Sequence, residues 1–98
     1  MRKQLKAENR FTVCGWMVTE LGLSGNALMI YAIIYEHSQT ENTDYSGGYK
    51  YLAECVGADI TTVQRVVKSL VEAGILTRTD KEENNRIIPH FRAVRGMR

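Results

Sequence analysis

A mainly helical domain with one small β-hairpin is the fold class this sequence predicts, and three stretches predict it. "ADITTVQRVVKSLVEAG" (58–74) holds an aspartate cap, an apolar stripe at helical spacing and a glycine stop. "LSGNALMIYAIIYEHSQ" (23–39) carries a nine-residue apolar run behind Ser24. "ILTRT" (75–79) and "RIIPHFRAV" (86–94) are strand-like segments separated by the charged "DKEENN".

From the N-terminus, residues 1–10 are expected to form a flexible basic tail, ahead of a single domain over 11–98. "FTVCGWMV" (11–18) is short and rich in β-branched and aromatic residues, so a short N-terminal strand is expected, with a bend at Gly15. The first helix follows, with Ser24 as its N-cap. Its apolar residues fall on two sides: Leu28, Tyr31, Ala32 and Tyr35 on one, Ile30, Ile33 and Ile34 nearly opposite. A helix apolar on two sides needs two covers. The core supplies one. The N-terminal strand, the hairpin or a second copy of the chain supplies the other, and a homodimer through the isoleucines is one expectation.

"TENTDYSGG" (40–48) reads as a loop with Ser46 capping the next helix. That helix covers 49–56 and stops at Gly57. The third begins after Asp59, with Ala58 and Val63 as an apolar staple, and ends at Gly74. It buries Val63, Val66, Val67, Leu70 and Val71 and turns Thr61, Gln64, Arg65, Lys68 and Glu72 outward. In the returning strand, Pro89 points to an edge position or a bulge.

Composition narrows the functional classes. Hydrophobic residues make 44% and charged residues 24%, ordinary for a globular protein. Cys14 and Cys55 form no CxxC pair, no secretory leader pattern opens the chain, and free thiols in the cytoplasm are expected. The nine-residue apolar run falls short of the ~20 residues of a membrane helix. The net charge is +2, but 1–20 carries +2, 21–58 carries −3, 59–73 is neutral and 74–98 carries +3. Basic charge at both ends is compatible with one face for a polyanion and equally with a mixed solvated surface. His37 and His90 lack partners at metal spacing, and no metal or cofactor is expected. No nucleophile–base set or phosphate loop is present, so the chain is not expected to be an enzyme.

Two helices joined through Gly57, with Leu52 and Ala53 in the first and Val63 and Val66 in the second, make a helix–turn–helix. The hairpin directly behind it makes this a winged helix-turn-helix: three helices plus a wing, with the short N-terminal strand. "YLAECVGADITTVQRVVKSLVEAGIL" (51–76) resembles the winged helix-turn-helix pattern of bacterial DNA-binding domains over its whole length. "GWMVTELGLSGNALMIYAIIYEHSQ" (15–39) resembles the N-terminal domains of replication-initiator and replisome-organiser proteins of phages and mobile elements of Gram-positive bacteria. Such proteins carry a further C-terminal domain, so the chain reads as a fragment or as a small stand-alone regulator.

The resemblance implies double-stranded DNA as partner, with the helix after Asp59 entering the major groove. Thr61, Thr62, Gln64 and Arg65 are then placed for base edges and Lys68 for a phosphate. The free amides at the helix start offer a further phosphate contact. Ile60 departs from the family pattern, which places a polar residue there; contact with a thymine methyl and local packing are both open. Arg78, Lys81 and Arg86 are the wing's candidates for DNA, opposed by Asp80, Glu82 and Glu83 beside them. Three functions follow. The first is sequence-specific DNA binding in replication initiation or transcription regulation of a mobile element. The second is a winged-helix protein–protein module in a replisome, with replication proteins as partners. The third is a ligand-responsive transcription regulator.

Overall fold

The computed structural model describes residues 11–38 and 44–94. The basic tail expected at 1–10, like Arg95 and Arg98, lies outside the described residues. Four helices are followed by two strands: α1 (Gly15–Thr19), α2 (Gly25–His37), α3 (Gly48–Val56), α4 (Ile60–Glu72), β1 (Leu76–Glu83) and β2 (Arg86–Ala93). The fold class is the expected one, mainly helical with an antiparallel hairpin in a winged helix-turn-helix arrangement.

The expected N-terminal strand is not there. Residues 11–14 are in no helix or strand and the rest of the segment enters α1, so the described residues form four helices and not three. The reason is tertiary. Strand preference measures fit to a neighbouring sheet, and this segment packs on α2 and not on the hairpin. One helical turn instead buries Met17 completely and sets Trp16 edge-on against two rings of α2. Trp16 lies 6.1 Å from Tyr31 and 5.2 Å from Tyr35, and those two tyrosines stack on each other. Edge-to-face pairs of this kind add about 0.5–1.5 kcal/mol beyond the area they bury.

Helix α2 is the centre of the domain. Ile30, Tyr31, Ala32, Ile33 and Ile34 are five consecutive buried residues, so both apolar sides are covered within one chain. A seam between two copies on Ile30, Ile33 and Ile34 is therefore ruled out by their burial, and the homodimer loses its motive. The helix is tied to its surroundings through polar groups at its middle and its C-terminal end. Ser24 occupies the N-cap position, although its side chain makes no cap bond. At the other end Ser38 Oγ donates to Ile34 O at 2.8 Å and accepts from the Ala93 amide at 3.1 Å. The Tyr31 hydroxyl donates to Val94 O at 2.6 Å. The bonds from the Ala93 amide and to Val94 O link α2 to the end of β2, so satisfying buried polar groups also fixes where the hairpin attaches.

The N-cap of α3 is Gly47, not the expected Ser46. Tyr45 explains the shift. Its buried ring crowds the position, so that a Cβ on Gly47 would come within 2.7 Å of the Tyr45 hydroxyl oxygen. The Tyr45 hydroxyl donates to Gly48 O at 2.7 Å, and burial raises its pKa. The Tyr45 backbone exchanges two hydrogen bonds with Phe91, at 2.7 and 2.8 Å, and so adds a one-residue bridge to the outer side of β2.

The hairpin is longer and its turn shorter than expected. Strand β1 runs on through Asp80 and Glu83, leaving only Asn84 and Asn85 as the turn, with φ of 54° and 65°. Two successive positive φ values match the right-handed twist of the flanking strands, and asparagine tolerates them better than most side chains. The register is one-to-one from Leu76↔Ala93 to Glu83↔Arg86, so Pro89 sits in an edge strand without a bulge. Only Leu76 of β1 is buried, and the rest projects from the domain.

Candidate nucleic-acid interface

The turn between α3 and α4 is three residues, 57–59. Gly57 has φ of 73°, a left-handed conformation that a side chain would strain. Its amide and that of Ala58 both donate to Ala53 O, at 2.9 and 3.1 Å, which closes α3. Asp59 then opens α4, its Oδ1 accepting from the Thr62 amide at 2.8 Å. That amide is consequently taken, and the helix start presents a carboxylate where an anion was expected to bind. The Thr62 amide is thereby removed from the phosphate contact expected at the helix start.

Helix α4 divides as the spacing predicts. Val63, Val67 and Leu70 are buried, with Val66 and Val71 packed against the core. Thr61, Gln64, Arg65 and Lys68 are exposed, and Thr62 is half-buried beneath the aspartate cap. Four polar side chains, two of them cationic, thus stand on one rigid element.

The wing cations do not stay together. Opposite residues of an antiparallel pair share a face, and successive residues alternate. The register therefore puts Arg78, Asp80, Glu82, Ile87 and Phe91 on one face of the ribbon, and Lys81, Glu83, Arg86 and His90 on the other. On the first face, Arg78 joins Gln64 and Lys68 around an open groove of about 300 Å³ floored by Tyr49, Val67, Val71 and Phe91. Its guanidinium lies over the Phe91 ring at 5.9 Å, and its Nε donates to Asp80 at 2.8 Å. On the second face, Lys81 lies 3.9 Å from Asp44. The surface next to α4 thus gathers Thr61, Gln64, Arg65, Lys68 and Arg78, while Lys81 and Arg86 point to the other side of the hairpin. Phe91 escaped the sequence reading because nothing in the chain's linear pattern sets β2 beside the first turn of α3.

A polar contact that the sequence did not signal anchors the second face. The buried His90 ring donates from Nδ1 to Asp44 Oδ1 at 3.0 Å, and its Nε2 is 3.4 Å from Glu83 Oε2 without hydrogen-bond geometry. The bond from His90 holds the Asp44 carboxyl below the usual carboxylate range, against some desolvation and with help from Lys81. Asp59 is likewise lowered, chiefly through hydrogen bonding from Thr62. A carboxyl lowered in the folded chain stabilises it above the unfolded pKa and loses that contribution as pH falls through the folded value. The thermal midpoint is therefore expected to fall once the pH drops below about 4, the ordinary carboxylate value. Asp44→Asn should make that acid-side fall shallower. Calorimetry of both proteins between neutral pH and pH ~3 checks it; an unchanged wild-type midpoint across that range contradicts the assignment.

Among the described residues, no group of three or more His, Cys, Asp or Glu side chains is placed to hold a metal ion. No helix among them is long and apolar enough to cross a membrane. A family model described as a helix-turn-helix domain matches residues 21–76, which is more than half of the chain. The match spans α2, α3 and α4 and ends at the first residue of β1, short of the wing. Neither the curated proteins nor the solved structures yield a match to this chain.

Proposed function

The chain belongs to the helix-turn-helix domain family, an architecture for binding DNA, and from that premise we propose that it binds double-stranded DNA sequence-specifically with α4 in the major groove. The observation that carries this reading is the division of α4: a capped helix, anchored by Val63, Val67 and Leu70, with Thr61, Gln64, Arg65 and Lys68 exposed on one side. Glutamine pairs bidentately with adenine and arginine with guanine, so Gln64 and Arg65 are assigned to bases, with Thr61 and Thr62 beside them. Lys68 and Arg78 flank the groove towards the wing and are assigned to phosphates. Lys81 and Arg86, on the far face of the ribbon, are assigned only to contacts made if the duplex wraps the hairpin. We place the binding in the cytoplasm, in replication initiation or transcription control of a mobile element, with replication proteins as further partners. The support for that role is the resemblance of residues 15–39.

Fluorescence anisotropy on random and selected duplexes at two salt concentrations tests the reading. Arg65→Ala is expected to weaken binding to the selected duplex by about 1–3 kcal/mol and to relax one base preference. Lys68→Ala should weaken all duplexes alike and lower the salt slope by about one. If both variants bind every duplex as the parent does, α4 is not the recognition helix.

One observation favours a second reading, a protein-binding wing. Near the tip, Ile87 is 63% exposed and stands directly opposite Glu82. An apolar residue paired with a carboxylate suits a protein surface better than a phosphate backbone. Loss of a protein partner on Ile87→Ser, with DNA affinity unchanged, would assign the wing to that role.

A further inference from the structure

Helix α4 contains six apolar residues, and five of them lie in the core or against it. The sixth is Ile60, the first residue of the helix, which is 43% exposed and takes no part in that core. Packing within the chain therefore leaves a large part of its side chain open to a partner. A single exposed apolar residue is ordinary by itself. Its position is what makes it informative. Ile60 lies four residues, about one turn, before Gln64, so the two side chains share a side of the helix. It also follows Asp59, whose carboxylate is turned onto the Thr62 amide. That negative group repels phosphate, so what approaches this end of the helix is an uncharged base edge.

We infer that Ile60 reads the 5-methyl group of a thymine next to the base pair taken by Gln64. In the major groove the thymine methyl is the one apolar feature on a base edge, and glutamine selects adenine there by its two hydrogen bonds. Together the pair specifies a run of A·T pairs at this end of the site. The inference rests on the DNA-binding reading above and adds a specificity determinant to it. Thr61 stays free to contact the neighbouring sugar or base.

Deoxyuridine supplies the test, because it lacks only the methyl group. Duplexes are selected with the wild-type protein from a pool with a randomised centre. Each thymine of the selected duplex is then replaced singly by deoxyuridine. Binding is expected to weaken about fourfold at one thymine, the value of one buried methyl group, and little elsewhere. Ile60→Ala should bind the thymine and deoxyuridine duplexes equally. Equal binding of both by the wild-type protein at every position overturns the inference while leaving DNA binding intact. So does an Ile60→Ala protein that keeps the discrimination, which would pass the methyl contact to another side chain such as Thr61. If the wild-type protein enriches no duplex, the DNA-binding reading fails and this one fails with it. The deoxyuridine series needs no variant, so the outcome does not depend on the mutant's folding.

Discussion

Ile33→Glu is expected to unfold the domain outright. Ile33 is 2% exposed, the fourth of five consecutive buried residues of α2. The substitution loses about 1.5–3 kcal/mol of apolar burial. It also puts a carboxylate into the core, at a further cost of several kcal/mol. Together these approach the 5–15 kcal/mol that holds a typical domain folded, so about nothing is left in reserve. A circular-dichroism melt should show no cooperative transition for the variant. Sedimentation equilibrium should find the parent monomeric at micromolar concentration. The opposite result, a parent dimer that Ile33→Glu converts into a folded monomer, would restore a seam between two copies and contradict the packing of α2.

Leu70→Ala is expected to cost roughly 2–5 kcal/mol. Leu70 is 4% exposed on the inner side of α4, and its carbonyl also accepts the Ile75 amide at 3.2 Å, where the chain leaves the helix for the hairpin. Truncation leaves a cavity beneath α4, but the backbone bond remains. Stability should therefore fall while the base preferences of the folded fraction persist. Urea denaturation measures the first and duplex selection the second. A loss under about 0.5 kcal/mol, the scale of surface changes, would mean that the helical phase of α4 is misassigned.

The legible part of the fold was the part whose causes lie close together in sequence. Asp59, the stripe from Val63 to Val71 and Gly74 sit within one stretch, and the helix they bound forms as they indicate. Gly57 marks the turn for the same reason. Helix α1 was illegible because its residues prefer strands in isolation, and it is the burial of Met17 and the packing of Trp16 on Tyr31 and Tyr35 that favour a helix. The isoleucines of α2 showed that two covers were needed but not what they were. The candidate site divides in the same way. The outward residues of α4 follow from helical spacing alone. Which wing cations stand beside them depends on the hairpin register, and that turned on a turn of two asparagines where six charged or polar residues had suggested a wider loop.

The length of β1 gives the carboxylates of the wing a different meaning. Among the described residues, strand β1 pairs with β2 on one side only, while the far side of β2 is met by Tyr45. The outer rim of β1 thus offers unsatisfied amides and carbonyls along an exposed ribbon, a template onto which another molecule can add a strand. Asp80, Lys81, Glu82 and Glu83 occupy that rim in unbroken succession. Charges so placed penalise edge-to-edge growth, because each added strand would stack like charges and strip them of water. The residues that count against phosphate contact by the wing are then gatekeepers against aggregation, and their acidity reports on what the hairpin must avoid as much as on what it touches.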